Sequence, residues 1–177
     1  MSASTLFVSW NQSARDKTSR IFTTPHKSNY SLSAIRGVID SMIMMFWGKS
    51  DDVLLVRDQM EQSSLRREYW HTLGSKAVAY AQHLGMVNGA APELEAGAMA
   101  DLLCRKQHDY GHENIARFGF QGLLVRVHDK VARLENLINS DKSPENESIK
   151  DNLLDVIGYC CIGMMLEEGT FLLTLEA

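Results

Sequence analysis

Glu147, Asp151 and Asp155 stand four residues apart in the stretch ESIKDNLLDVIGYCCIGMML. On a helix this spacing puts three carboxylates on one face, drifting slowly around it. Between Asn152 and Leu166 the only charged side chain is Asp155, and apolar residues flank it on both sides. Burying an unpaired carboxylate is expensive, so something must offset Asp155. A divalent cation would do so, since hard oxygen ligands suit Mg²⁺ or Mn²⁺. A lysine or arginine from a facing helix would also serve. Alternatively, Glu147 and Asp151 are solvated at the helix start and Asp155 makes one structural ion pair.

The preceding segment supplies candidate partners. In FQGLLVRVHDKVARLENLI the residues Leu124, Val127, Val131, Leu134 and Ile138 form an apolar helical seam. Arg126, Asp129, Lys130 and Arg133 recur opposite it. Asp129 and Arg133 have the spacing of an exposed i,i+4 pair. If the two helices pack antiparallel across the loop NSDKSPENE, Asp129 can instead join the acidic stripe. Arg126, Lys130 and Arg133 can then face phosphates.

A third cluster, RKQHDYGHENIARFG, holds Lys106, His108, Asp109, Tyr110, His112, Glu113 and Asn114. His108 and His112 are four apart, as in helix-borne zinc pairs, but Gly111 lies between them and a third ligand is not evident. HDYGH is also similar to the His-Asp motif of all-α metal phosphohydrolases, which would need His71 or His83 and a late Asp. Taken alone, these histidines read as surface or structural residues.

These clusters must be carried by helices. The periodicity predicts an all-α fold, a helical bundle of about five or six helices. Residues 1–30, rich in Ser, Thr and Asn, read as an irregular N-terminal arm, and residues 31–177 as a single helical domain. SLSAIRGVIDSMIMMFWG predicts a helix capped by Ser31 or Ser33 and ended by Gly48. SDDVLLVRDQMEQ, with Ser50 as its cap, and LRREYWHTLGSKAVAYAQHLG read as two further helices. Pro92 suits the first turn of the next, which Gly111 bends or ends. Ser143 and Pro144 are the expected start of the last long helix.

The totals exclude some partners. The chain has 177 residues, 45% of them hydrophobic, and a formal net charge of −4. That balance argues against non-specific binding of duplex nucleic acid or an anionic membrane, but not against one nucleotide held by local cations. Three cysteines, Cys104, Cys160 and Cys161, suggest a reduced, cytoplasmic setting, and the latter two read as small core residues. No basic region followed by an apolar run marks a signal peptide. The run CCIGMML falls far short of the ~18 to 20 residues of a membrane span.

Together, KQHDYGHENIARFGFQGLLVRVHDKVARLENL and ESIKDNLLDVIGYCCIGMML resemble the nucleotide modification associated domain 1 family, common in phages. The likeness runs through Lys106, Asp109-Tyr110-Gly111, Asn114, Gly122, Arg126, Asp129-Lys130, Arg133-Leu134, Asn136-Leu137, Glu147-Ser148, Asp151, Asp155 and Tyr159, over about residues 95–170. More distantly, the family is similar to MazG-like all-α pyrophosphohydrolases, whose acidic helices hold magnesium. Their EExxE and ExxD pattern is not intact here.

The resemblance implies a metal-dependent nucleotide pyrophosphohydrolase or phosphohydrolase of phage nucleotide metabolism, working in the host cytoplasm. Glu147, Asp151 and Asp155 would hold Mg²⁺ or Mn²⁺ and polarise a phosphoryl oxygen. Asp109, Asp129 and Glu147 are the expected proton-handling carboxylates. Lys106, Tyr110, His112, Asn114, Arg126, Lys130 and Arg133 would bind the nucleotide. The alternative is a non-catalytic nucleotide-binding protein: a sensor, a scaffold, or a sponge for signalling nucleotides. A helical interaction protein with structural ion pairs is a third possibility. Related pyrophosphohydrolases often assemble as homo-oligomers, which the apolar N-terminal helices would suit.

Overall fold

The computed structural model describes residues 6–23, 31–49, 54–86, 95–140 and 148–177. Among them the chain is all-α, with seven helices and no strand: α1 Trp10–Thr23, α2 Leu32–Phe46, α3 Val56–His83, α4 Ala96–Tyr110, α5 Glu113–Ala116, α6 Gly119–Asn139 and α7 Ile149–Glu168. No helix among them is long and apolar enough to cross a membrane.

The axis of the bundle is α7. Its residues Leu153, Val156, Ile157, Cys160, Cys161 and Met165 are wholly buried, so it is apolar nearly all round, as a central helix must be. Full burial of such side chains contributes roughly 1.5–3 kcal/mol each. The helix packs most extensively against α3, then α6, then α1. Glycines make the α3 approach possible. A methyl group on Gly163 would lie 2.4 Å from the Trp70 indole, and one on Gly74 would lie 2.8 Å from Ile21 and 3.1 Å from Cys160. Burial pushes the Cys160 and Cys161 thiols above the usual range, and all three cysteines are free.

Several sequence expectations need correction. The segment read as an irregular arm contains α1, whose residues Trp10, Ala14, Lys17 and Ile21 are fully buried. It is tied to the C-terminal segment by Trp10 N–H donating to Thr174 O (2.9 Å) and by a Ser13–Thr170 hydroxyl bond (2.6 Å). The helices expected on either side of residue 63 are one helix, α3, because nothing between them breaks it. Ser63 Oγ is spent on α7, donating to Glu167 O (3.0 Å) and Glu167 Oε2 (2.6 Å). With α1 and the short α5 added, the helix count is seven rather than five or six.

Helix ends follow their capping chemistry. Ser31 accepts from Ala34 N–H at 3.1 Å, as its position suggested. At α7 the cap is Ser148, not Ser143. Its Oγ accepts from Asp151 N–H (3.0 Å) while Asp151 Oδ2 accepts from Ser148 N–H (3.1 Å), a reciprocal capping box. Ser50, Pro92, Ser143, Pro144 and Glu147 lie outside the described residues.

Candidate functional site

On α4, Met99, Leu103, Lys106, Gln107 and Tyr110 recur at spacings of three to four and share one face. Gly111 ends the helix with φ +67°, a conformation that L side chains rarely adopt. The chain then folds back through α5 into α6, bringing Asn114 and Ile115 over the end of α4. On α6, Arg126 and Lys130 lie one turn apart beside the buried seam Leu123, Val127, Val131 and Leu134. On α7, Leu154, Asp155, Gly158, Tyr159 and Ile162 form the facing wall. Gly158 has no side chain where Leu103 closes in, 3.1 Å from the place a Cβ would occupy.

Between these walls and Trp10 of α1 lies a cavity of about 410 Å³. Its lining combines an apolar floor (Met99, Leu102, Leu103, Ile115, Leu154, Ile162), two phenol rings (Tyr110, Tyr159) and three cations (Lys106, Arg126, Lys130). Among the described lining residues Asp155 is the one carboxylate, and it bridges the two lysines. Lys106 Nζ is 3.0 Å from Asp155 Oδ1, and Lys130 Nζ is 2.8 Å from Asp155 Oδ2. The question posed by a lone carboxylate in an apolar helix is thus answered by lysines from two neighbouring helices. Among the described lining residues, three cations stand against one carboxylate, a formal surplus of two positive charges. Arg126 Nη2 donates to Asn114 O at 3.2 Å, which props the guanidinium at the rim. A second hollow, between α2 and α3, is lined by one cation, Lys76, beside Glu68, and gathers none of the residues singled out by sequence.

The candidate residues divide accordingly. Lys106, Tyr110, Asn114, Arg126, Lys130 and Asp155 come together around the cavity. Asp129 does not join the acidic stripe; it makes the exposed i,i+4 pair with Arg133, 3.3 Å apart. Asp109 is three-quarters exposed and pairs with His108 at 3.1 Å. His112 stands behind the cavity wall: Nδ1 accepts from Gln107 Nε2 at 2.8 Å, and the ring packs on Phe171, 5.6 Å between centroids. His71 meets the Arg20 carbonyl at 3.2 Å and His83 stacks near Tyr80, so neither completes a cluster with His108 and His112. Glu147 lies outside the described residues.

Each oxygen of Asp155 already faces an ammonium group, and Asp151 Oδ2 is committed to the cap, taking Ser148 Oγ (2.8 Å) and Ser148 N–H. Those two Ser148 hydrogen bonds hold the Asp151 carboxyl below the usual carboxylate range.

Two wall residues carried no sequence signal. Trp10 sits in the segment read as an arm. Gln107 lies in the quoted cluster, but its amide is easily passed over among stronger chemical groups. The available clue was a polar residue one turn beyond Leu103, on a stripe otherwise turned inward.

Fold and wall chemistry together define an all-α protein with a cation-lined, aromatic-edged cavity. The family model described as nucleotide modification associated domain 1 matches residues 106–166. The match runs from Lys106 to Leu166 and takes in every charged side chain of the cavity wall, while α1, α2 and α3 lie outside it. No curated protein and no solved structure gives a significant match to the chain.

Proposed function

We propose that this protein binds a nucleotide, or a small molecule derived from one, in the cavity between α4, α6 and α7. The observation that carries the proposal is the convergence of Lys106, Arg126 and Lys130 on a space whose floor is otherwise apolar. Phosphate oxygens would replace Asp155 as acceptors for the two ammonium groups, and the Arg126 fork would take a second edge of the phosphate chain. The base would lie on the apolar floor, between the phenol rings. A space of this size falls within the range of small-molecule sites. The match to a nucleotide-associated domain supports the same class of ligand. Such a module suits a sensor, a scaffold for a base-modifying enzyme, or a sponge for signalling nucleotides.

The test is isothermal titration calorimetry with a panel of deoxynucleoside triphosphates, and with tripolyphosphate alone, with and without Mg²⁺. Saturable binding, weakened by the Lys130→Met substitution, is expected. Absence of heat with every nucleotide would refute the proposal.

A phosphohydrolase remains the second proposal, favoured by Asp155 standing in the same cavity with Asp151 one turn before it on α7. Mg²⁺ or Mn²⁺ would have to arrive on the nucleotide's phosphates and compete with a lysine for Asp155. Metal-stimulated release of phosphate or pyrophosphate during the titration would establish it, and nucleotide recovered intact would leave binding alone.

A further inference from the structure

Gln107 is 93% buried, being 7% exposed, yet it lines the cavity. Its amide nitrogen is used: Nε2 donates to His112 Nδ1 at 2.8 Å. Its carbonyl oxygen has no hydrogen-bond partner among the described residues, although it is not sealed off from solvent. A nearly buried amide with one end tied behind the wall and the other open to a cavity is a site for a donor. Leaving such an acceptor unmatched when the cavity fills would weaken binding about tenfold or more, so the favoured occupant supplies an N–H or O–H there.

The orientation of the amide is held from behind. His112 takes the N–H, the His112 ring packs on Phe171, and Phe171 packs edge-on to Trp10 with centroids 6.4 Å apart. In the tautomer with His112 Nδ1 unprotonated, rotating the amide would break the His112 bond and set the carbonyl against an imidazole lone pair. In that tautomer the carbonyl is pre-aimed, as a group that discriminates between ligands must be. Lys106, the residue before Gln107 on α4, faces Asp155 and the cationic end of the cavity. One helix thus offers a phosphate-seeking ammonium and a base-seeking carbonyl in successive positions.

We propose that Gln107 reads the base, accepting a hydrogen bond from an exocyclic amino group, so that the cavity prefers an amino base to its keto counterpart. The assignment rests on the nucleotide reading of the cavity. A keto oxygen in place of the amine would set acceptor against acceptor, which a site of this kind rejects.

Calorimetry on the full chain with dATP against dITP, and dCTP against dUTP, tests it. In at least one pair the amino nucleotide is expected to bind about tenfold tighter or more. The Gln107→Met substitution should close that gap to within about threefold and leave tripolyphosphate affinity unchanged. If Gln107→Met does not fold, as judged by thermal unfolding, His112→Phe carries the comparison: it releases the amide from behind the wall and should shrink the same gap. Equal affinities within both pairs, tighter keto binding, or a gap that survives the substitution would overturn the assignment while leaving nucleotide binding intact. Failure of every nucleotide and of tripolyphosphate to bind would instead remove the reading of the cavity on which it stands.

Discussion

Carboxylates meet clusters of cations at two places along α7, with different consequences. Near its C-terminal end, Glu168 takes Lys17 from α1 on one oxygen, while Arg67 of α3 stands 3.2 Å from the other and Arg20 3.8 Å. Lys17 has no exposed surface; it also reaches Asp16 at 2.8 Å and lies over the Phe7 ring at 4.5 Å. Next to it, Glu167 takes Arg66 at 2.7 Å. These pairs join α1, α3 and α7. At Asp155 the pairing looks alike on paper, yet Lys106 keeps 44% of its side chain exposed and both lysines border an open volume. Packing, not pairing, decides whether a cation is structural or available. Around Glu168 the charges are consumed by the fold, whereas around Asp155 they are held in place beside a space that an anion can enter.

The sharpest break of this contrast comes from α1. Lys17→Ala removes a wholly buried ammonium and leaves Asp16 and Glu168 facing each other, with only Arg20 and Arg67 to offset them. About 3 kcal/mol of stability should be lost, a fall in Tm of roughly 6–12 °C for a chain of this size. Chemical and thermal unfolding measure it, and nucleotide affinity of the folded fraction should not change. The mirror experiment is Lys130→Met. Asp155 keeps Lys106, so the stability loss should be smaller than that of Lys17→Ala, while nucleotide affinity should fall about tenfold. If Lys130→Met unfolds the protein and Lys17→Ala weakens binding, the two sites have been assigned the wrong way round.

How much of this was legible beforehand varies with the element. The demand of Asp155 for a cation followed from its apolar flanks alone. Lys106 was named only as a phosphate ligand, whereas Lys130 was named both as a phosphate ligand and as a cation from the preceding helix able to pair with the acidic stripe. The exposed Asp129–Arg133 pair was the reading that spacing favoured, but spacing did not exclude a place in the acidic stripe because it says nothing of which way α6 rolls against α7. The α1 helix was hidden for a physical reason. Its buried positions Trp10, Ala14, Lys17 and Ile21 have helical spacing, but a lysine in the seam and polar neighbours erase the hydrophobic signal. A buried lysine makes sense only once Glu168, 151 residues away, is beside it. The same limit applies to Gln107, whose importance depends on His112 bonding one end of its amide and the cavity lying at the other.

The cap at the start of α7 gives a smaller effect, at a site that should serve the fold and not the ligand. Ser148→Ala should cost about 1 kcal/mol by removing the hydroxyl half of the capping box and the Oγ–H bond to Asp151 Oδ2, while the backbone N–H half remains. Its pH dependence has a definite sign. The Asp151 carboxyl is held below its usual range in the folded protein, so its contribution is present above the unfolded carboxylate pKa of about 3.9 and is lost as pH falls through the lower folded value. The stability difference between wild type and Ser148→Ala should therefore be full at neutral pH and shrink in strong acid. Urea denaturation at a series of pH values would show it, and a difference that grows in acid would mean the cap is not what depresses Asp151.

The smallest effect is the most discriminating, because it concerns what Asp155 does. Asp155→Asn keeps the shape of the side chain and one acceptor oxygen but withdraws the negative charge that competes with an incoming phosphate. The lysines are then held less firmly and the cavity surplus rises from two charges to three. Two opposed terms result: a looser placement of Lys106 and Lys130, and a stronger field for anions. With Lys106 partly exposed, the field should win modestly, and tripolyphosphate affinity should rise about threefold. A fall in affinity would mean that Asp155 touches the ligand itself, for example through a ribose hydroxyl. Loss of a Mg²⁺-stimulated turnover present in wild type would mean that it serves a metal during reaction. A rise, with no turnover in either form, is the result expected of a carboxylate whose work is to keep two cations in position until a better anion arrives.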